Sequence, residues 1–199
     1  MTPRIITFEG SDYSGKTTMV AYFARRFAGR KNTSFNAGPL YPNALSAKLL
    51  ALANQSTEYE RELIYTMAFV SDTLESATKR QDDRVIFQDR YWSSVMAYGR
   101  FLNGPNSIHN HLDFRHLLLK PFATIVLSFS VGEKIKRSAA RTRKSPLDNL
   151  LLSNPSEFAR LEEEIDKSIL GLPNIHRIDT TDKSIEQAAD EVESLKLHE

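Results

Sequence analysis

One stretch carries the densest chemical signal in this 199-residue sequence: Gly10-Ser11-Asp12-Tyr13-Ser14-Gly15-Lys16-Thr17 fits the spacing GxxxxGKT. Glycines free such a loop to turn several backbone N–H groups toward one point, and a helix starting at Lys16 adds the partial positive charge of its N-terminus. Polyphosphate fills a cradle of this kind. Lys16 would bridge the β- and γ-phosphates as a point charge, and the Thr17 hydroxyl would ligate Mg²⁺. The competing reading is a glycine-containing turn with a solvated lysine. It is set aside because the segment lies between a strand-like run and a helix-like one. Kinases, GTPases and mechanical ATPases share this cradle, so the reaction must be read from other residues.

Three further features narrow it. Asp89 ends the apolar run Val85-Ile86-Phe87, where a carboxylate can hold Mg²⁺ beside the phosphate loop; a helix cap or a surface ion pair is the alternative. Arg90 follows, and its guanidinium can clamp a second phosphate, that of an acceptor; the alternative is an arginine paired only with a nearby carboxylate. Between Lys134 and Lys144 lie six basic residues, Lys134, Lys136, Arg137, Arg141, Arg143 and Lys144, just before Ser145-Pro146. That density predicts a mobile cationic lid that brings arginines to a migrating phosphoryl group and excludes water. For any single member a solvated helix face competes.

Positioning these groups requires alternating elements. Ile5 to Phe8 reads as a strand, and about Lys16 to Arg30 as a helix. Thr33 to Asn36 is a weaker strand, followed by turn-rich Gly38 to Pro42 and a short helix carrying Leu45, Leu49, Leu50 and Leu52. Thr57 and Glu60 form a capping box for a helix to about Arg80, with Leu63, Ile64, Met67, Val70 and Leu74 as its apolar stripe. Val85 to Phe87 and Thr124 to Phe129 read as central, buried strands. Asn154-Pro155 and Glu157 start a helix to about Leu170; Asn174 to Ile178 is a last strand, and Ile185 to Leu195 a closing helix. Such alternation favours a parallel sheet covered on both faces.

Composition sets the outer bounds. Hydrophobic residues make up 41% and charged residues 26%, so one globular domain is expected. Lys and Arg number 26 against 25 Asp and Glu, which leaves no global field to attract a nucleic-acid polymer or a membrane surface. Without cysteine there are no disulfides or thiolate sites, in keeping with a reducing compartment, and the cytoplasm is the expected location. No apolar stretch suggests a signal peptide or a membrane span.

With these residues in view, the sequence resembles the thymidylate kinase family of P-loop nucleoside monophosphate kinases. Ile5-Ile6-Thr7-Phe8-Glu9-Gly10-Ser11-Asp12 through Gly15-Lys16-Thr17-Thr18 is similar to that family's FEGxDGxGKTT, and Asp89-Arg90-Tyr91 with Ser94 and Ala97-Tyr98 to its DRYxxSxxAYQ. Phe69 and Asp72 resemble part of its FAADR segment, and the basic stretch up to Leu147-Asp148 its lid. The resemblance implies an α/β fold, a three-layer α/β/α P-loop kinase over residues 1–199 with a central five-stranded parallel sheet and a helical lid at about 137–155. It implies ATP bound by Gly10, Ser11, Asp12, Tyr13, Ser14, Gly15, Lys16, Thr17 and Thr18, with Mg²⁺ on Thr17 and Asp89. A nucleotide acceptor would meet Asp12 at a sugar hydroxyl, Phe69 on the base, Arg90 at the phosphate and Tyr98 against the deoxyribose, with Ser94 also among the substrate-binding residues. Lys16, Arg90, Arg141 and Arg143 would be catalytic, and many members are homodimers.

The family's TREPGG corresponds here to Ser34-Phe35-Asn36-Ala37-Gly38-Pro39, the arginine of FAADR to Thr73, and the glutamine of AYQ to Gly99. A site that has lost polar groups meant for one base should discriminate less strongly. The leading expectation is ATP-dependent phosphorylation of a deoxynucleoside monophosphate, dTMP or a close analogue. Two alternatives stand beside it: a kinase for an unphosphorylated nucleoside or another small hydroxyl compound, and a non-catalytic nucleotide-binding module.

Overall fold

Five strands pair in parallel into one sheet: β1 (Arg4–Glu9), β2 (Thr33–Ala37), β3 (Val85–Asp89), β4 (Ala123–Ser128) and β5 (Ile175–Asp179), in the order β2-β3-β1-β4-β5. The computed structural model describes residues 3–30, 32–40, 44–78, 83–140 and 144–197. Eight α-helices occur among the described residues: α1 (Lys16–Arg26), α2 (Ala44–Ala53), α3 (Glu58–Thr78), α4 (Trp92–Asn103), α5 (Val131–Ala139), α6 (Pro146–Ser153), α7 (Pro155–Ile169) and α8 (Ile185–Ser194).

Strand alternation sorts the core into two faces. Ile6, Phe8, Phe87 and Leu127 pack against Met19 and Phe23 of α1 and Val192 of α8, with the Phe23 and Phe87 rings stacked at 5.1 Å. Ile5 and Ile86 face the other way, onto Phe69 of α3 and Trp92 and Met96 of α4. A third cluster joins Ala97 and Phe101 of α4 to Leu151 of α6 and to Leu161 and Ile165 of α7. The expected three-layer α/β/α order follows, and the register Phe8↔Asp89 sets the ends of β1 and β3 side by side.

Several boundaries differ from the sequence expectation. α1 stops at Arg26 rather than Arg30, because Phe27 turns into the core and Gly29 takes a positive φ of 87°. Residues 79 and 80, at the expected end of α3, lie outside the described residues, as do 41 and 42 of the turn-rich segment. The apolar stripe of α3 largely faces outward, with Leu63, Met67 and Leu74 exposed, whereas Glu62, Thr66, Phe69 and Asp72 are buried. The polar members of that buried face have distant partners. Asp72 accepts the Leu40 N–H at 2.8 Å, and Glu62 accepts from Asn103 Nδ2 at 2.7 Å and Ser107 Oγ at 2.5 Å. This ties α3 to α4 and fixes the spacing of the two helices that wall a cavity described below.

His109 completes the tie, its Nε2 lying 3.2 Å from Thr66 Oγ1 and 3.8 Å from Glu62 Oε1. Burial, outweighing the nearby Glu62, pulls its pKa down to about 4, so the folded chain holds it neutral where an unfolded chain protonates it near 6.5. The folded state therefore binds fewer protons in that interval and loses stability as pH falls from 6.5 to 4. Urea unfolding of the parent and of His109→Gln should show the parent losing about 2–3 kcal/mol more across that window; parallel pH profiles would refute the assignment.

Candidate active site

The phosphate loop begins where β1 ends. Gly10 has φ 132°, and a Cβ there would stand 2.3 Å from the Leu127 carbonyl oxygen of β4, so the loop passes its neighbour only as glycine. Gly15, at φ 97°, is the N-cap of α1 and supplies no side-chain cap. The first N–H groups of α1 thus stay open to an anion. Tyr13 also has a positive φ, 74°, and its carbonyl accepts from Arg137 Nη1 at 3.1 Å.

Lys16 is buried, and its Nζ donates to Ser11 O at 2.6 Å and Ser14 Oγ at 3.1 Å. Burial and then the nearby Arg90 lower its pKa to about 7, against the pull of Asp12, Asp89 and Glu9. One buried and one half-buried cation thus share a gap that an anion would relieve. Around this gap Asp12, Ser14, Lys16, Thr17, Thr18 and Arg137 help to line a cavity of about 370 Å³.

Asp89 and Arg90 arrive at the end of β3, where the Arg90 N–H donates to Phe8 O at 3.1 Å. Thr17 Oγ1 donates to Asp89 Oδ2 at 2.5 Å, while Asp89 Oδ1 is buried without a partner among the described residues. A hydroxyl and a carboxylate with one uncommitted oxygen suit a hard divalent cation that takes its other ligands from phosphate and water, so these residues fit Mg²⁺. No cluster of three or more His, Cys, Asp or Glu that could hold a metal occurs among the described residues.

Arg90 is bound on every side. Its Nη2 meets Asp12 Oδ1 at 2.7 Å and Tyr98 OH at 3.1 Å, and its Nη1 meets Gly10 O and Ser94 Oγ, both at 3.2 Å. Tyr98 OH in turn donates to Asp12 Oδ2 at 3.0 Å. Burial disfavours ionisation of Asp12, but Arg90 and Lys16 outweigh it and hold the carboxyl below its ordinary value; burial drives the Tyr98 phenol up. Arg90 is therefore paired with a carboxylate here, and that carboxylate belongs to the same cluster as the loop.

A second cavity, of about 690 Å³, runs between α3 and α4 from this cluster, with Phe69, Ser94, Tyr98 and Gly99 on its walls and Ser145, Pro146 and Leu147 at its edge. The structure thus brings together Gly10 to Thr18, Phe69, Asp89, Arg90, Ser94 and Tyr98. Arg141 and Arg143 lie outside the described residues. Lys134 departs from the reading of the basic run as lid: it is 1% exposed, its Nζ lies 4.0 Å from the Phe158 ring centroid, and it has no hydrogen-bond partner among the described residues. Arg137 points into the loop cavity and donates to Thr180 O at 2.5 Å.

Sequence reasoning gave no separate role to Glu9, which sits behind the cluster. Its carboxylate accepts from the Tyr91 N–H at 3.0 Å and from the Ser93 and Ser94 hydroxyls at 2.5 Å each, fixing the start of α4 and the Ser94 oxygen that Arg90 uses. Burial raises its pKa despite these donors. Its position before Gly10 in the family-like motif was the only available signal.

Comparison with known proteins places the chain in a family. The family description "Thymidylate kinase" matches residues 8–192. The chain is 33% identical over 97 residues to a thymidylate kinase of Wolinella succinogenes, a match spanning 48% of this chain and 49% of that protein. It is 28% identical over 149 residues to a thymidylate kinase of Desulforudis audaxviator, spanning 69% of this chain and 66% of that one. The solved thymidylate kinase of Candida albicans shares the fold at a TM-score of 0.65 and 18% identity, covering 100% of this chain and 94% of its own. That of Ehrlichia chaffeensis does so at 0.67 and 17%, covering 98% and 100%.

Lys134 offers a direct test of the packing behind the loop. A buried ammonium that meets a ring face and no hydrogen-bond acceptor among the described residues should give way to an apolar side chain of similar length with a gain in stability. Lys134→Met is expected to raise the unfolding free energy in urea by about 1–3 kcal/mol; a loss of similar size would show that the charge has a partner.

Proposed function

Because the chain belongs to the thymidylate kinase family, we propose that it transfers the γ-phosphoryl group of ATP to a deoxynucleoside monophosphate, dTMP or a close analogue, as a cytoplasmic enzyme. The observation that carries this reading is the junction of the two cavities. Asp12 and Arg90 line both, so a polyphosphate on the loop and a second ligand between α3 and α4 would meet across one ion pair. Phosphoryl transfer needs little covalent help from protein; it needs two reactants aligned and their charge compensated.

ATP occupies the loop cavity, its phosphates on the open N–H groups of α1 and on Lys16. Thr17 and Asp89 would hold Mg²⁺, which when bound would supply charge neutralisation at the phosphate oxygens. The acceptor phosphate takes Arg90, already braced by Ser94 and Gly10, while Asp12 and Tyr98 are freed to meet the sugar and Phe69 packs on the base. Residues 137–155 form the lid, which fits Ser145, Pro146 and Leu147 lining the acceptor cavity, and Arg141 and Arg143 are assigned to the migrating phosphoryl group. No helix among the described residues is long and apolar enough to cross a membrane.

The outward stripe of α3 supports a homodimer. Tyr59, Leu63, Met67 and Leu74 recur on one side of the helix and are exposed, beside exposed Leu45 and Leu52 of α2. A second copy of the chain covers this face. Sedimentation should give twice the 22.6 kDa chain mass, and Leu63→Asp combined with Met67→Asp should return it to the monomer; a monomeric parent would refute the interface.

The catalytic reading is tested by coupled ADP release over the nucleoside monophosphates. Turnover is expected with dTMP and MgATP, abolished by Lys16→Ala. Arg90→Ala should raise the acceptor KM by about 10–100-fold, the loss of a charge-assisted, two-pronged contact. Absence of turnover with every monophosphate defeats the proposal, and an acceptor affinity indifferent to Arg90 would point instead to an unphosphorylated acceptor.

A further inference from the structure

The far end of the acceptor cavity is polar in composition but almost fully committed. Glu62 is 4% exposed and bound by Asn103 and Ser107. Arg61 donates to Glu58 Oε1 at 2.8 Å, to Ala53 O at 3.1 Å and to Ser56 O at 3.2 Å, closing the end of α2. Across from them Gly99 presents no side chain, and a Cβ there would stand 2.4 Å from Glu62 Cδ. Thr73 is not on the cavity wall. Groups already satisfied by protein do not penalise a base that fails to match them, and it is unpaired groups that give polar sites their power to reject.

Tyr65 is the exception. It lies one turn before Phe69 on α3, on the same wall of the cavity. Unlike the Arg61 and Glu62 side chains, its phenol has no hydrogen-bond partner among the described residues. A base packed on Phe69, with its phosphate toward Arg90, would bring its outer edge to this phenol. A phenolic O–H rotates to suit its partner, donating to a ring carbonyl or accepting from an exocyclic amino group. We propose that Tyr65 reads the outer edge of the acceptor base, and that the site takes 4-keto and 4-amino pyrimidine deoxynucleoside monophosphates with similar efficiency. The inference rests on the acceptor being a nucleotide, as proposed above, and adds a residue and a substrate range to that reading.

The test compares dTMP with dCMP on the purified full chain, by MgATP-dependent turnover and by calorimetric binding without ATP. The two nucleotides should agree within tenfold in kcat/KM and in Kd. Tyr65→Phe should weaken both by about 5–20-fold, as expected for one lost hydrogen bond to a ligand. A preference for dTMP above tenfold, or a Tyr65→Phe variant that binds both as the parent does, overturns the proposal. If both nucleotides bind alike and lose affinity in Tyr65→Phe yet are not phosphorylated, the base reading stands and the transferase reading falls. If neither binds, both fall.

Discussion

Asp12 and Arg90 hold each other at 2.7 Å across the gap between the end of β1 and the end of β3. They meet because the parallel register sets Phe8 against Asp89, so the loop that leaves β1 and carries Asp12 starts beside Arg90, the residue after β3. The pair does two jobs. It offsets part of the positive charge that Lys16 and Arg90 concentrate in a desolvated place, and it aims both partners into the space where two ligands would converge. Parallel α/β sheets place ligands at the carboxyl ends of their strands for this reason: loops from neighbouring strands converge there on solvent while the strands behind stay rigid.

What lies behind the pair explains that rigidity. Stacked Phe8, Phe23 and Phe87 clamp the sheet to α1 on one face. On the other, Glu9 gathers Tyr91, Ser93 and Ser94 and so fixes the first turn of α4. A buried carboxylate is costly unless its oxygens are fully engaged. Here three donors engage it, and one of them, Ser94, passes the constraint on to Arg90.

The strands were legible because buried parallel strands are nearly continuous apolar runs, and the phosphate loop because its spacing is local. The start of α4 was not. It has no side-chain cap of its own, and Glu9, which orders it, is 84 residues away from Ser93 in the chain. In α3 the apolar stripe was visible but its direction was not, since the buried face is built from Glu62, Thr66 and Asp72, whose partners lie on other elements. The basic run before Ser145 read as a mobile cationic lid, yet Lys134 runs inward beneath Phe158. Tyr65 carried no local signal either, being one more aromatic on an amphipathic helix. The start of α4, the buried face of α3 and the course of Lys134 each depended on a contact between segments far apart in sequence, and periodicity records only what is near.

Tyr13 and Arg90 share a less visible property: each is a non-glycine residue held in the left-handed backbone region, at φ 74° and 58°. Conformations of this sort are disfavoured by roughly 1–2 kcal/mol for residues carrying a Cβ. The chain therefore keeps tension at the mouth of its own cleft, tolerated because the surrounding packing leaves no relaxed alternative. Glycine at these positions would ease that tension, and at Arg90 it would remove the guanidinium with it. Heat resistance and chemical competence consequently pull in opposite directions there, and robustness would have to be sought in parts of the fold remote from the cleft.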